Sequence, residues 1–229
     1  MTHPSASDST LQRPAATRLL ELFGPGCFAE EAVPQLYDAE LFPEERACLA
    51  NAVEKRRAEF GTARICARRA LAQLGIPPLP LVPNKDRSPV WPEGVVGSIT
   101  HTRGYCAVIV ASNSAFVSLG VDAEQDKVLT PDLIEMICTP RERAGLVDGD
   151  AVVYFAAKEA FYKCQYPLTQ KYLGFHDVEL DVDMARGTFA ARIIKPDLGM
   201  DKPAWLPQLQ GRFAREHGLV LCGMSYARS

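Results

Sequence analysis

No stretch of this chain approaches the ~20 consecutive apolar residues that a membrane-spanning helix needs, so no membrane association is expected. Basic charge is not in excess either. The 25 Lys and Arg stand against 28 Asp and Glu, a net charge of −3, which leaves no global positive field for nucleic acid. None of the seven cysteines (27, 48, 66, 106, 138, 164 and 222) forms a CxxC pair, which argues against a zinc site. Their odd number and mostly apolar surroundings read as buried free thiols in a reducing cytosol. The opening segment MTHPSASDSTLQRPAATR lacks the apolar core and cleavage pattern of a signal peptide. Its Ser, Thr, Pro and Ala content predicts a loose arm over residues 1–18. What is present is the composition of a soluble globular protein. With 47% hydrophobic residues there is enough for a real core, and 229 residues fit one domain or two small ones.

The segment FPEERACLANAVEKRRAEFGTARICARRALAQLG reads as helical, with Pro43 at a first helical position, Gly75 and Pro77 at the end, and Gly61 as a place where it divides. Residues 76–97 are rich in proline and read as an extended loop. YCAVIVA and FVSLGVDAE read as two strands joined by the polar turn SNS. Along the second, Val117, Leu119, Val121 and Ala123 point one way and Ser118, Gly120, Asp122 and Glu124 the other. Thr130-Pro131 starts a short helix, and TPRE at 139–142 has the form of a capping box. A further helix spans about 151–164. FHDVELDV and GTFAARII read as a hairpin and GLVLCGMSYA as a last strand. The order helix, strands, helices, strands predicts an α+β protein, divided near residues 111–115 into similar halves, 19–114 and 115–229, with no visible sequence repeat between them.

Asp122 and Glu124 lie two apart on a strand, so their side chains leave one face about 7 Å apart along the backbone. Both can bend toward one ion; the alternative is two solvated acids at a strand end. The helix 151–164 is apolar almost all round, which marks a buried helix. Its charges are Lys158, Glu159 and Lys163. Glu159 and Lys163, four apart, share a face with Val152, Phe155 and Ala156, so the pair points inward unless it is a structural ion pair on a partly exposed helix. If Glu159 meets Asp122 and Glu124, an oxygen-only set suits Mg²⁺, with Mn²⁺ as a substitute. Such an ion completes its shell with water and phosphate, which implies a phosphate-bearing substrate.

GSITHT places Ser98, Thr100, His101 and Thr102 as short donors beside Gly97. The preceding helix carries Arg56, Arg57, Arg64, Arg68 and Arg69. In a continuous helix Arg57, Arg64 and Arg68 share a face. Arginine forks suit phosphate, and a solvated helix face is the other explanation of such a run.

Taken together, WPEGVVGSITH, GVDAE and FAAKEAFYK resemble the 4′-phosphopantetheinyl transferases, in the surfactin-type and enterobactin-synthase-component-D-like branch, over about residues 47–175. The resemblance implies a pseudo-dimer of two α+β halves with the active site in the cleft between them. It implies transfer of 4′-phosphopantetheine from coenzyme A to a serine of an acyl or peptidyl carrier protein, releasing adenosine 3′,5′-bisphosphate, as in fatty acid, polyketide, nonribosomal peptide or siderophore synthesis. By position, Asp122 and Glu124 match the family's metal-binding acids. Glu159 matches the acid of its KEA motif, with base, metal ligand or both left open. Lys158 and Lys163 match that motif's lysines, Lys163 orienting Glu159 and stabilising the leaving phosphate. Ser98 and His101 match residues on the coenzyme A phosphates, and Arg56 and Arg64 match basic residues on the adenosine-phosphate side. Helical spacing favours Arg57 with Arg64, so Arg56 rests on the resemblance and requires a bend near Gly61. Where the family often has a Lys-Gly or Gly-Lys turn reaching the nucleotide, this chain has PNKDRSP, which leaves Lys85 and Arg87 both open. The expectation is a monomeric cytoplasmic enzyme, with Lys171 and the CQYPLTQKYLGF loop as candidates for carrier docking. A Mg²⁺-dependent nucleotide phosphohydrolase and a non-catalytic coenzyme A-binding module are the rival readings.

Overall fold

The run YCAVIVA is apolar at every position but its alternation still sorts two faces, and both are buried. The computed structural model describes residues 11–14, 17–195 and 203–228. In it this run is β3 (Tyr105–Ser112), the central strand of a three-stranded sheet. It pairs antiparallel with β1 (Cys27–Ala32) on one side and β2 (Val95–Thr102) on the other. Val108 and Val110 pack under α2 (Glu54–Gln73), against Ile65, Cys66, Ala67, Ala70 and Leu71. The opposite face, Tyr105, Ala107, Ile109 and Ala111, packs on the second sheet.

That sheet has the order β4-β8-β7-β6-β5, all antiparallel: β4 (Phe116–Gln125), β5 (Val178–Asp183), β6 (Thr188–Ile193), β7 (Leu209–Glu216) and β8 (Leu219–Ala227). Leu119, Val121 and Ala123 of β4 and Leu219 and Leu221 of β8 face the first sheet, so one apolar layer joins the halves. The other face of this sheet is covered by α5 (Ala151–Thr169), through Val152, Val153, Ala156, Ala160 and Phe161. The architecture is α+β, two sheets each carrying one long helix.

Several local expectations change. SNS does not close a hairpin; residues 113–115 carry the chain from the first sheet to the second, where β4 pairs with β8. A register shift between Phe116 and Ser118 makes Val117 an extra residue, so it leaves the core face expected of it. β1, β2 and β7 were not visible in the sequence: β1 and β7 carry acids and arginines, and β2 begins inside the proline-rich stretch. Gly61 does not divide the helix; the break is at 48–53, between α1 (Pro43–Ala47) and α2, and Gly61 is buried close against Tyr37. α5 continues five residues past position 164, because Pro167 lies in its last turns and removes only its own hydrogen bond there. The arm expected over 1–18 falls largely outside the described residues. Its described part is packed, with Leu11 buried beside α2 and Gln12 O accepting from Val33 N–H. All seven cysteines are free; Cys48 is exposed and Cys27 half-buried, while the other five are buried.

The halves do share a short repeat. FPEERA at 42–47 and TPRERA at 139–144 each place proline first and glutamate third in a five-residue helix, α1 and α4 (Pro140–Ala144). Glu45 accepts from Phe42 N–H, from Leu81 N–H and from Arg68 of α2. Glu142 accepts from Thr139 N–H, from Leu180 N–H and from Lys158 of α5. Each buried carboxylate thus ties a short helix, a long helix and a later segment together. A buried ion pair persists when its remaining bonds are satisfied in this way.

Candidate active site

β2 and β4 are edge strands of different sheets, and they lie side by side. Their backbones do not form a ladder; hydroxyls take its place. Ser98 Oγ accepts from Val121 N–H at 3.0 Å, and Thr100 Oγ1 accepts from Ala123 N–H at 3.1 Å. Two glycines permit the surrounding approach. A Cβ on Gly120 would lie 2.0 Å from Ala160 O, so GVDAE needs glycine for α5 to rest on β4. A Cβ on Gly97 would lie 2.9 Å from the Trp91 ring, whose Nε1–H donates to Gly97 O at 2.9 Å.

Along this seam opens a cleft of about 660 Å³, lined from α2, β2, β4, α5 and the loop 83–91. Its floor holds Asp122 and Glu159, while Glu124 is not among its lining residues. Asp122 is buried; its Oδ1 accepts from Thr100 Oγ1 at 3.1 Å and from Lys163 Nζ at 2.6 Å. Lys163 also donates to Val121 O at 3.0 Å. Glu159 lines the cleft and accepts no hydrogen bond from any described residue. Burial, then the Asp122 charge, raise its pKa, against the pull of Lys163. Glu124 is pushed up to about 7 by burial and then by Asp122, with Glu159 adding to the shift. Lys163 therefore holds Asp122 and is not bonded to Glu159, which corrects the expected Glu159–Lys163 pair. The reason is that Asp122 sits deeper and gains more from a counter-charge.

The wall from α2 supplies cations. Arg56, Phe60 and Arg64 recur every four residues, with the Arg64 and Arg56 guanidinium carbons 3.9 and 5.8 Å from the Phe60 ring centroid. Arg56 reaches the cleft from a helix that is unbroken through Gly61, so no division there is needed. Arg57, the residue that helical spacing favours, points away and pairs with Asp38 at 2.5 Å. Arg64 donates through Nε to Leu81 O at 2.7 Å, and burial lowers its pKa to about 10, still charged at neutral pH. His101 stands with Nε2 3.4 Å from Arg56 Nη1 and Nδ1 3.7 Å from Glu59 Oε2. Burial holds its imidazole below the usual range, opposed by Glu59 and aided by Arg56.

Two expected cofactor contacts are elsewhere. Lys158 is buried away from the cleft, with its three protons on Glu142 Oε2 at 2.7 Å, Ile137 O at 2.9 Å and Phe175 O at 2.7 Å. An ammonium has three protons, so none remains for a ligand. Of the pair left open in PNKDRSP, Arg87 lines the cleft and Lys85 does not. The turn is fixed by Asp86, which accepts from Ser88 and, at 2.7 Å, from Tyr166 OH of α5. Those bonds lower the Asp86 pKa to about 2. Tyr162 and Tyr166 were missed; they lie three and seven residues after Glu159 and so share its face, a signal that the spacing carried.

Among the described residues no group of three or more His, Cys, Asp or Glu side chains is placed to hold a metal ion, so the expected set Asp122, Glu124 and Glu159 is not assembled as three ligands to one ion. An open site is another matter. Asp122 Oδ2 is buried without a hydrogen-bond partner, beside two carboxylates whose pKa values are raised first by burial and then by the Asp122 charge. A divalent cation answers both, and Mg²⁺ asks for only one or two protein carboxylates plus water and phosphate. The residues fit it.

Comparison with known proteins gives the same region a family. Residues 44–111 match the family model described as the 4′-phosphopantetheinyl transferase N-terminal domain, and residues 118–205 that of the 4′-phosphopantetheinyl transferase superfamily. The chain is 43% identical over 195 residues to the 4′-phosphopantetheinyl transferase Svp of Streptomyces mobaraensis, covering 82% of this chain and 79% of that one. It is 42% identical over 190 residues to the 4′-phosphopantetheinyl transferase PptT of Mycobacterium tuberculosis, covering 78% and 83%. Enterobactin synthase component D of Escherichia coli O157:H7 is 31% identical over 166 residues, covering 69% and 74%.

Proposed function

The chain belongs to the 4′-phosphopantetheinyl transferase superfamily, and from that premise we propose that it moves 4′-phosphopantetheine from coenzyme A to a serine of an acyl or peptidyl carrier protein, with Mg²⁺, releasing adenosine 3′,5′-bisphosphate. The observation that carries this reading is the cleft itself, with cations on the α2 wall and an orphaned Asp122 oxygen on the floor. The half up to residue 114 holds the adenosine phosphates through Arg56, Arg64, His101, Ser98 and Arg87. The half from 115 carries Asp122, Glu124, Glu159 and Lys163.

Asp122, with Glu124 or Glu159, would hold the ion; when bound, it supplies positive charge to the pyrophosphate of coenzyme A. Glu159, uncommitted and with a raised pKa, takes the proton from the carrier serine hydroxyl. The serine oxygen bonds to the phosphorus that bears pantetheine as the bridging P–O bond breaks. The adenosine bisphosphate leaves with that oxygen, between Lys163 and the arginines. Lys163 keeps Asp122 in place while it faces the leaving group. Phe60, Trp91 and the loop 83–89, which line the cleft, exclude water, which favours serine over hydrolysis.

The test is incubation of the purified protein with coenzyme A and Mg²⁺, with and without an apo carrier protein, followed by intact-mass analysis. The reading requires a mass gain of one phosphopantetheine on the carrier and none on a carrier lacking the serine. Cleavage of coenzyme A without any acceptor sinks it in favour of a hydrolase.

A further inference from the structure

Asp122 belongs to the second sheet, yet one of the two groups that orient it comes from the first. A threonine hydroxyl has one proton and two lone pairs. At Thr100 a lone pair is occupied by Ala123 N–H at 3.1 Å, and the acceptor within reach of the proton is Asp122 Oδ1, also at 3.1 Å. The same Oδ1 receives Lys163 Nζ at 2.6 Å. Two donors, one from β2 and one from α5, therefore converge on a single carboxylate oxygen. They fix the rotation of the group and leave Oδ2 as the oxygen without a partner. A buried carboxylate oxygen left bare in this way marks a place reserved for something else. Ser98 shows the contrast two residues earlier. Its oxygen accepts from Val121 N–H, but its proton is not committed to any described residue.

We infer that Thr100 is a positioning residue for Asp122, presenting Oδ2 to the divalent ion, while Ser98, on the same strand, keeps a proton for an incoming phosphate. The inference rests on the reading that Asp122 holds the ion. It also gives the seam a function beyond cohesion: the metal-holding acid is in register only when the two sheets are in contact.

The experiment is a titration of the full chain with Mn²⁺, followed by the loss of free-ion EPR signal, without coenzyme A, so that turnover plays no part. Thr100→Val removes the proton and keeps the shape, and it should weaken Mn²⁺ binding about 10–100-fold, the usual effect of losing a group that orients a metal ligand. Thr100→Ser restores the proton and should bind like wild type. Ser98→Ala loosens the same seam and should keep its Mn²⁺ affinity. Asp122→Asn should lose it. If Asp122→Asn binds as wild type does, the metal reading itself falls. If Asp122→Asn loses the ion while Thr100→Val keeps it, the metal reading stands and the positioning role is overturned. Equal losses in Thr100→Val and Ser98→Ala overturn it as well, since the effect would then be a loosened seam. Near-UV circular dichroism checks folding; should Thr100→Val not fold, Thr100→Ala takes its place under the same criteria.

Discussion

At the scale of single residues, charge in the cleft is arranged by what each group is already bonded to. Glu124 has no hydrogen-bond donor among the described residues, and burial beside Asp122 holds its carboxyl at about 7 against an ordinary value of 4.5. The native state then binds a proton that the unfolded chain has already lost. Its contribution to stability is full below about pH 4.5 and disappears as the pH rises through about 7. In metal-free buffer, Glu124→Gln should therefore gain stability relative to wild type as pH rises across this window. Thermal unfolding at pH 5 and pH 8 measures it; an equal difference at both refutes the shift. The arginines divide by the same logic. Arg57 is bonded to Asp38, whereas Arg56 faces the cleft. Arg56→Ala should raise KM for coenzyme A about ten- to a hundredfold, the worth of one charged hydrogen bond, with little change in kcat. Arg57→Ala should leave KM alone. If the two variants behave alike, the α2 wall does not discriminate them. Repeating Arg56→Ala with 3′-dephospho-coenzyme A tells which phosphate is touched: a smaller penalty places Arg56 on the 3′-phosphate.

At the scale of elements, the site is built from two local patterns that the sequence displayed and one contact that it did not. Alternation on β4 brought Asp122 and Glu124 to one side, and four-residue spacing on α5 brought Glu159 and Lys163 to one side. Where Lys163 points could not be read, because its partner is 41 residues away and lies on β4. Lys158 was misread for a similar reason: its acceptors at 137, 142 and 175 belong to three other segments. β2 was not read as a strand, because it begins inside the stretch 76–97 read as loop and polar GSITHT looks unlike a strand; its polar side chains make sense only once β4 is alongside. Gly120 is the residue through which β4 and α5 meet. A methyl group there would sit 2.0 Å from Ala160 O, which is backbone and cannot rotate away. Gly120→Ala should cost roughly 1–3 kcal/mol, as overpacking does, and should also reduce kcat, because it parts Lys163 from Asp122. Gly211 on β7 is the control. Its Cβ would lie 2.4 Å from Phe189 O, but it is away from the cleft. Gly211→Ala should lose comparable stability while its folded fraction keeps wild-type kcat. Denaturant unfolding and active-site-normalised rates separate the two, and a normal kcat in folded Gly120→Ala would detach the close approach from catalysis.

At the scale of the whole molecule, two similar hubs coexist with a core that neither half owns. Glu45 and Glu142 each organise their own half, and Arg68 and Lys158 complete them. This suggests two units that fold separately. The apolar layer argues otherwise. Tyr105, Ala107 and Ile109 on one side and Leu119, Val121 and Leu221 on the other are at most 1% exposed because they cover each other. Separation would return all of them to water, at about 1.5–3 kcal/mol for each large side chain, which is comparable to the whole stability of a domain of this size. Hence the hubs give each half its shape and the shared layer gives both their stability. The expected behaviour is one cooperative unfolding transition, with fluorescence and circular dichroism coincident. Residues 19–114 and 115–229 produced separately should not fold, and mixing them should restore a native spectrum. Binding across the cleft should then raise the single transition temperature as coenzyme A and Mg²⁺ are added, by the mass-action relation for a ligand that binds only the native state. Two resolved transitions, or a fragment that melts cooperatively alone, would mean that the layer between the sheets is an ordinary domain interface. The seam at Thr100 and Asp122 would then be free to open without unfolding.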